Sequence, residues 1–512
     1  MARKYLQRAP ALSPDDFTEH PSVQASLQKL QERFGPRYEK LIVSDTLDEN
    51  GNQYVDLIQK GGGVLGVALA GYTFVLEEVG IRFLRLAGTS AGAINTALMA
   101  VIDDENDPRH DSDDASIPEA APRRDAKKQR TTRAVLKYMS RLNFFALVDG
   151  HPVAQWVIKN FITKKDFFKK LKGFVIRLVG VFFLLLLADV LFTGLGWKMT
   201  WAGKAARVCF VLTGFLLVVL AGLGFYSSFL YTRLKACGYG VNPGKFFYNW
   251  VEGIMRRNDV TSISTLMAKV KMPIPGLRLR EQNPLGVRDM EGDVRFITAE
   301  LVSQNKIEFP RMWNLFTTEA DALHPARFVR SSMAIPIFFE SHIIPDIPRH
   351  DPRVQKAWDV HFGISKEEDI PHVARFVDGG MLSNFPVNIF YNPRVSEPRL
   401  PTFGINLDDA EPDELDGIDA HTWGLGGYFG RLLNTMRFYY DKDFMMKNKV
   451  FSQGVGTVKL AGFNWLNFFL SDDDKKAMFA RGAEAACEFL LRFDWAQYKK
   501  DRIELHTVTQ NG

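Results

Sequence analysis

Cysteine is almost missing from this 512-residue chain: Cys209, Cys237 and Cys487 are its only three. They are too few and too scattered for a disulfide framework or a cysteine-based zinc site. An excess of one charge is also missing. A net charge of +5 is mild at this length and does not argue for nucleic acid, and no nucleic-acid partner is expected. No apolar stretch opens the chain. Met1 to Tyr38 is polar and charged, and no secretory signal peptide is visible. No internal repeat is found. Aromatics with a polar tip are scarce, with 14 Tyr and 9 Trp against 40 Phe. Phenylalanine suits dry cores and lipid, so the question becomes where the apolar residues concentrate. The remaining composition, 46% hydrophobic and 24% charged, excludes a mainly disordered chain, a collagen-like chain and a transporter filled with spans.

Two regions carry an α/β pattern. In the first, Tyr54–Ile58 predicts a strand, then a glycine cluster, a helix over Val64–Glu78, a strand over Arg82–Leu86, a tight turn and a helix over Ala91–Val101. In the second, strands are predicted over Val294–Leu301, Arg375–Asp378, Thr402–Leu407 and Val458–Phe463. A last helix follows near Asp472–Phe493, with Ser471 as N-cap and three aspartates in its first turn. The order along the chain is a polar N-terminal extension (1–50), the first α/β part (51–102) and a charged insertion read as disordered (103–133). A helical, basic, membrane-proximal segment (134–172), a hairpin (173–235) and a connecting segment (236–293) follow. The second α/β part (294–495) and a C-terminal tail (496–512) complete it.

The hairpin rests on two apolar runs. Leu178–Leu195 has 18 residues and one charge, Asp189, while Val208–Leu230 has 23 residues and none. At 1.5 Å per residue the second run reaches about 34 Å, enough for a hydrocarbon core of about 30 Å. Trp197, Lys198, Trp201 and Lys204 between them suit an interfacial turn. Lys164, Lys165, Lys169, Lys170, Lys172 and Arg177 precede the hairpin, and Arg233, Lys235 and Lys245 follow it. This bias predicts two spans with both flanks, and so the α/β parts, on the cytoplasmic side.

Three motifs carry chemistry. Gly88-Thr89-Ser90-Ala91-Gly92 matches G-x-S-x-G between a strand and a helix, the setting in which a sharp turn projects a nucleophilic serine. Gly61-Gly62-Gly63-Val64-Leu65-Gly66 also lies between a strand and a helix. It satisfies G-x-G-x-x-G, but a dinucleotide site needs an acid at the end of the next strand, and that strand runs Arg82–Ala87 into Gly88 without one. An oxyanion hole suits the loop better, with backbone N–H groups at a helix start aimed at developing negative charge. Phe376-Val377-Asp378-Gly379-Gly380 ends a strand in an acid, a candidate base beside a serine nucleophile. His421 and His506 follow Asp378 in the order of a Ser-His-Asp hydrolase, but neither has a distinctive setting.

Together with Ala93-Ile94-Asn95, Arg330–Pro336 and Asn384-Phe385-Pro386, these motifs resemble the patatin-like phospholipases in kind and in order. The resemblance implies an α/β fold, a three-layer α/β/α sandwich, here interrupted by the two-helix transmembrane hairpin. It implies lipid acyl hydrolysis by a Ser–Asp dyad, with Ser90 as nucleophile and Asp378 as base. The loop residues Gly61, Gly62, Gly63, Val64 and Gly66 would form the oxyanion site, and Gly88 and Gly92 would shape the serine turn. Many members carry Arg or Lys just before the last loop glycine, where this chain has Leu65. No metal and no cofactor are implied. The expected function is a membrane-anchored phospholipase or lipase acting on membrane lipids, with the apolar hairpin as a contact for homo-oligomers. A lipid transacylase using the same dyad and a non-catalytic lipid-binding scaffold are the alternatives.

Overall fold

The computed structural model describes residues 12–110, 130–163, 167–196, 200–236, 238–283, 286–409 and 425–511. They form two compact units. The first takes the chain up to Val148, Gly244–Pro336 and everything from Ser341 onward; the second takes Asp149–Pro243 and Ile337–Glu340.

A mixed sheet organises the first unit. Its ten strands among the described residues are β1 (Thr46–Leu47), β2 (Gln53–Gln59), β3 (Ile81–Thr89), β4 (Arg278–Leu279), β5 (Asp293–Glu300), β6 (Asn305–Phe309), β7 (His342–Ile344), β8 (Ala374–Asp378), β9 (Thr402–Asp408) and β10 (Val455–Lys459). β10, β9, β2, β3 and β5 run parallel side by side. Every residue of β2 is buried, as a strand covered on both faces requires. The one charge in its middle, Asp56, is paired by Arg85 of β3, whose Nε donates at 2.7 Å.

The register around β5 places the ends of two strands together. β3 pairs with β5 over Asp293–Ile297, and β8 pairs antiparallel with it over Thr298–Glu300. β6 pairs with residues of both stretches, so it holds the opposite edge of β5. β3 and β8 therefore meet head to head along one edge. Thr89 lies opposite Ile297, and Asp378 lies opposite Thr298.

Helices pack on this sheet. The helix Val67–Glu78 is almost wholly buried and lies on the helix Asp472–Arg492. Gly71 and Gly482 make that approach close: a Cβ on either would fall within about 2 Å of a carbonyl of the other helix, Phe479 or Ala68. The N-terminal extension is part of this core. Its helix Pro21–Phe34 buries Val23 and Leu30 and packs on Asp472–Arg492, and Phe17 meets Phe479 edge-on at 5.5 Å. The C-terminal stretch forms the helix Trp495–Asn511.

Most predicted elements appear within a residue or two. The last strand differs: it runs Val455–Lys459, not Val458–Phe463. Gly454 and Gly456 look like loop residues in sequence, but a side chain at Gly456 would collide with the Tyr72 hydroxyl, so packing requires the glycine inside the strand. The charged insertion, expected to be disordered, is ordered at both ends. Asp103 pairs with Lys269, Glu105 is buried and pairs with Arg130, and buried His110 contacts the Tyr138 hydroxyl at 2.8 Å. Partners far along the chain order these charges. Residues 111–129 of the insertion lie outside the described residues.

The second unit holds the helices Pro152–Thr163, Phe167–Gly196 and Thr200–Ala236, the last two packed on each other. The segments Lys172–Gly194 and Trp201–Ala236 are long and apolar enough to cross a membrane. Phenylalanines such as Phe183, Phe215 and Phe225 are exposed along them. The turn is shorter than the sequence suggests, because Trp201 and Lys204 are already helical. Trp197, Lys198, Lys164 and Lys165 lie outside the described residues.

Candidate active site

Ser90 sits where β3 ends and the helix Ala91–Val101 begins. Its φ of 54° and ψ of −119° are a conformation that side chains rarely adopt. Two glycines permit the turn. A Cβ on Gly88 would lie 2.3 Å from Gly92, and one on Gly92 would lie 2.2 Å from the Gln59 carbonyl of β2. Small residues at both positions let strand, turn and helix close on one another. Ser90 is buried, and its N–H donates to Ser332 Oγ at 3.0 Å.

Asp378 closes β8 one residue further along the edge of β5. A step of one residue in a strand is about 3.3 Å, so the sheet register brings the two ends into one place. The Asp378 carboxylate is buried, and its Oδ1 accepts the Gly380 N–H at 2.7 Å. The segment Arg330–Pro336 ties the two ends together, beginning in the helix Ala326–Ser332. Ser332 Oγ accepts from Ser90 N–H and donates to the Ile297 carbonyl at 2.5 Å, while the Ala334 carbonyl accepts Asp378 N–H at 2.8 Å.

The glycine loop lies directly against the serine. A Cβ on Gly61 would be 3.0 Å from Ser90 Cβ, and one on Gly66 would be 3.0 Å from Ala91 Cβ. Gly63–Gly66 form a single 3₁₀ turn that opens the helix Val67–Glu78. The N–H groups of the loop are not equivalent. Gly61 donates to the Asn384 carbonyl at 3.1 Å, Val64 to the Trp465 carbonyl at 3.0 Å and Leu65 to the Gly62 carbonyl at 3.1 Å. Those of Gly62 and Gly63 donate to no protein acceptor among the described residues. Two of the expected oxyanion donors, Gly62 and Gly63, are thus the loop positions whose N–H groups are not used within the protein among the described residues. Leu65 is buried, so the basic side chain found there in many relatives would have to enter a dry core here.

Further residues brace the site, and the sequence motifs give them no role. Asp441, on the helix Leu425–Lys447, accepts Ser383 Oγ at 2.7 Å and Phe385 N–H at 2.8 Å. It thereby fixes Asn384, whose Nδ2 donates back to the Gly61 carbonyl at 3.2 Å. Burial pushes the Asp441 carboxyl above the ordinary carboxylate range, and the bonds from Ser383 and Phe385 offset part of the rise. Lys60 directly follows β2, with Nζ donating to Asn406 Oδ1 at 2.8 Å and the Leu407 carbonyl at 2.7 Å. These partners lie more than 50 residues away in sequence, so no local pattern marks them. Among the histidines, His342 of β7 stacks on Phe376 of β8, and burial holds it neutral, with a pKa lowered to about 4. That is too weakly basic for a general base near neutral pH. His421 lies outside the described residues, and His506 is on the C-terminal helix.

Comparison with known proteins gives matches of three kinds. A family model described as patatin-like phospholipase matches residues 57–391. A stretch of 47 residues is 62% identical to a protein of Bacillus subtilis (strain 168) named "Uncharacterized protein YqhO", spanning 9% of this chain and 16% of that relative. Among solved structures, the crystal structure of VipD from Legionella pneumophila aligns with 88% of this chain and 70% of its own, at 11% identity and a TM-score of 0.31.

Proposed function

Because the chain belongs to the patatin-like phospholipase family, a family of lipid acyl hydrolases, we propose that it cleaves acyl esters of membrane glycerolipids through an acyl-Ser90 intermediate. The observation that carries this reading is the head-to-head meeting of β3 and β8 along β5, which supports a Ser90–Asp378 dyad. Asp378 takes the proton from Ser90 Oγ as that oxygen attacks the ester carbonyl. The oxyanion that forms is met by the N–H groups of Gly62 and Gly63 at the start of a helical turn. Collapse breaks the ester C–O bond, and the leaving alcohol takes the proton held by Asp378. Water then gives a proton to Asp378 and attacks the acyl carbonyl. The fatty acid leaves, and the proton returns to Ser90.

The hairpin supports a membrane anchor for this chemistry. Two long apolar helices with exposed phenylalanines would be costly to leave in water. Two crossings also return the chain to the side it started from, as a dyad split across the hairpin needs. The basic stretch Lys164–Lys172 would hold the enzyme near anionic head groups.

The test uses purified full-length protein and mixed phospholipid vesicles, with products identified by mass spectrometry. Free fatty acid and lysolipid are expected. Ser90→Ala and Asp378→Ala should each lose at least about 10³-fold in turnover, and the double variant little more, since the pair acts as a unit. Near-normal turnover by folded Ser90→Ala would overturn the reading. Acyl groups passed to another lipid would mark a transacylase instead.

A further inference from the structure

The uncharged run Val208–Leu230 ends abruptly, and Tyr231, Arg233 and Lys235 follow within five residues. In a membrane-crossing helix such a switch marks the level where head groups begin. The second unit has a cavity of about 590 Å³ at this level, within the range of single-ligand sites. Leu230, Leu234, Ile158 and Val241 give it an apolar wall. Arg233, Asp149 and Glu340 bring charges of both signs to the same cavity.

Beside the lining residues Gly150, Val241 and Pro243, the chain is held by one buried side chain. Asn242 is fully buried and joins three chain segments. Its Oδ1 accepts the Gly150 N–H at 3.0 Å, and its Nδ2 donates to the Phe338 carbonyl at 2.8 Å. Its own carbonyl accepts the Glu340 N–H at 2.9 Å. A Cβ on Gly150 would lie 2.1 Å from the Val241 carbonyl, so these backbones are already in contact. The chain segments carrying Asp149 and Glu340 are thus held beside each other by one buried asparagine.

We propose that this cavity binds one zwitterionic phospholipid of the bilayer as a resident, non-catalytic ligand. The proposal rests on the reading of the hairpin as a membrane anchor, and it is independent of the Ser90 chemistry. The mixed signs select the head group. A fatty acid would bring a third carboxylate to two carboxylates, one guanidinium and the imidazole of His151. A phosphate ester bearing an ammonium matches both signs, with phosphate at Arg233 and ammonium toward Asp149 and Glu340. Exposed Tyr231 adds an aromatic face for a quaternary ammonium. The glycerol and first acyl carbons would then lie on Leu230, Leu234 and Ile158.

The test uses the full chain as Ser90→Ala, reconstituted in phosphatidylcholine vesicles doped with a phosphatidylcholine that carries a diazirine near the ester. After irradiation, mass spectrometry maps the adducts. They are expected on residues 149–158 and 230–241 at about tenfold or more the level on the outer faces of 179–191. Leu234→Trp, which fills the cavity, should reduce them about tenfold, and Leu234→Met, which preserves its volume, should not. A phosphatidylglycerol probe, which lacks the ammonium, should label the site less. Even labelling along the hairpin, wild-type labelling in Leu234→Trp, or preference for phosphatidylglycerol would each overturn the proposal. Turnover of unmodified protein on the same vesicles is measured separately, so loss of the site and loss of the hydrolase reading give different results.

Discussion

Asp441 braces the candidate site from outside the sequence motifs. It holds Ser383 and Phe385, and between them Asn384, which bonds the glycine loop beside Ser90. An asparagine offers one oxygen acceptor where Ser383 Oγ and Phe385 N–H use two, so one of the two bonds to the carboxylate is lost or reversed. Asp441→Asn is expected to lower kcat by up to about 10²-fold, the scale of a misplacement of about 1 Å, with little change in KM. The pH profile separates this from general destabilisation. Since burial raises the Asp441 pKa, the carboxyl takes up its proton at higher pH than an exposed aspartate does as the pH falls. Protonation removes an acceptor, so the wild-type acid limb should start above the usual carboxylate range, and Asp441→Asn should lack that component. Lys306 is the nearby cation that opposes the rise. Unchanged kcat and an unchanged acid limb would remove the positioning role. Ser90 and Asp378 are legible in the sequence because each sits in a short glycine-bounded motif at a strand end. The roles of Asp441, Ser332 and Lys60 are not, because what defines them is a partner far away in the chain.

Among the secondary-structure elements, strands β2 and β3 raise the question of a buried charge. Asp56 is 1% exposed in the middle of an apolar strand, and Arg85 answers it from the neighbouring strand with a two-pronged contact. Arg85→Leu would leave that carboxylate buried without its partner, at a cost of about 3 kcal/mol or more. The measurement is the denaturant midpoint of the purified protein. Adding Asp56→Asn should recover a large part of the loss, since the uncompensated charge goes with it. A midpoint within error of wild type for Arg85→Leu alone would show that water or another cation serves Asp56 instead. The helix Asp472–Arg492 is legible down to its cap: Ser471 Oγ accepts the Asp474 N–H at 3.1 Å, and the Asp474 carboxylate accepts from Ser471 in return. Capping is local chemistry within four residues, whereas the Asp56–Arg85 pair follows from which strands become neighbours.

Across the full chain, the decisive feature is that the hairpin lies between the two halves of the candidate site: Ser90 precedes it and Asp378 follows it. Two spans leave both halves on one side of a membrane, and a single span would separate them. The expected outcome is a protein that stays with the membrane through alkaline carbonate and high salt. In a background lacking the three native cysteines, single cysteines introduced at Lys198 and at Asp111 should be labelled from opposite sides. Release by carbonate, or labelling of both positions from the same side, would rule out the two-span anchor.

The order of the α/β elements, the serine turn, the glycine loop, the acid at the end of β8 and the two apolar helices can all be read without coordinates. Each is written in neighbouring residues: strand runs, glycines where backbones turn or touch, and a run of apolar residues long enough to cross a bilayer. That β3 and β8 share one edge of β5, so that Thr89 and Asp378 face consecutive residues of it, emerges only when the sheet assembles. So does the division within the glycine loop, where Gly61 and Val64 donate their N–H groups to Asn384 and Trp465 while those of Gly62 and Gly63 are not used within the protein among the described residues. The bracing by Asp441 and Ser332 belongs with these. One cause underlies all three. Strand register and hydrogen-bond partners are set by which segments pack together, and a one-dimensional pattern carries the preference of each segment but not its neighbour.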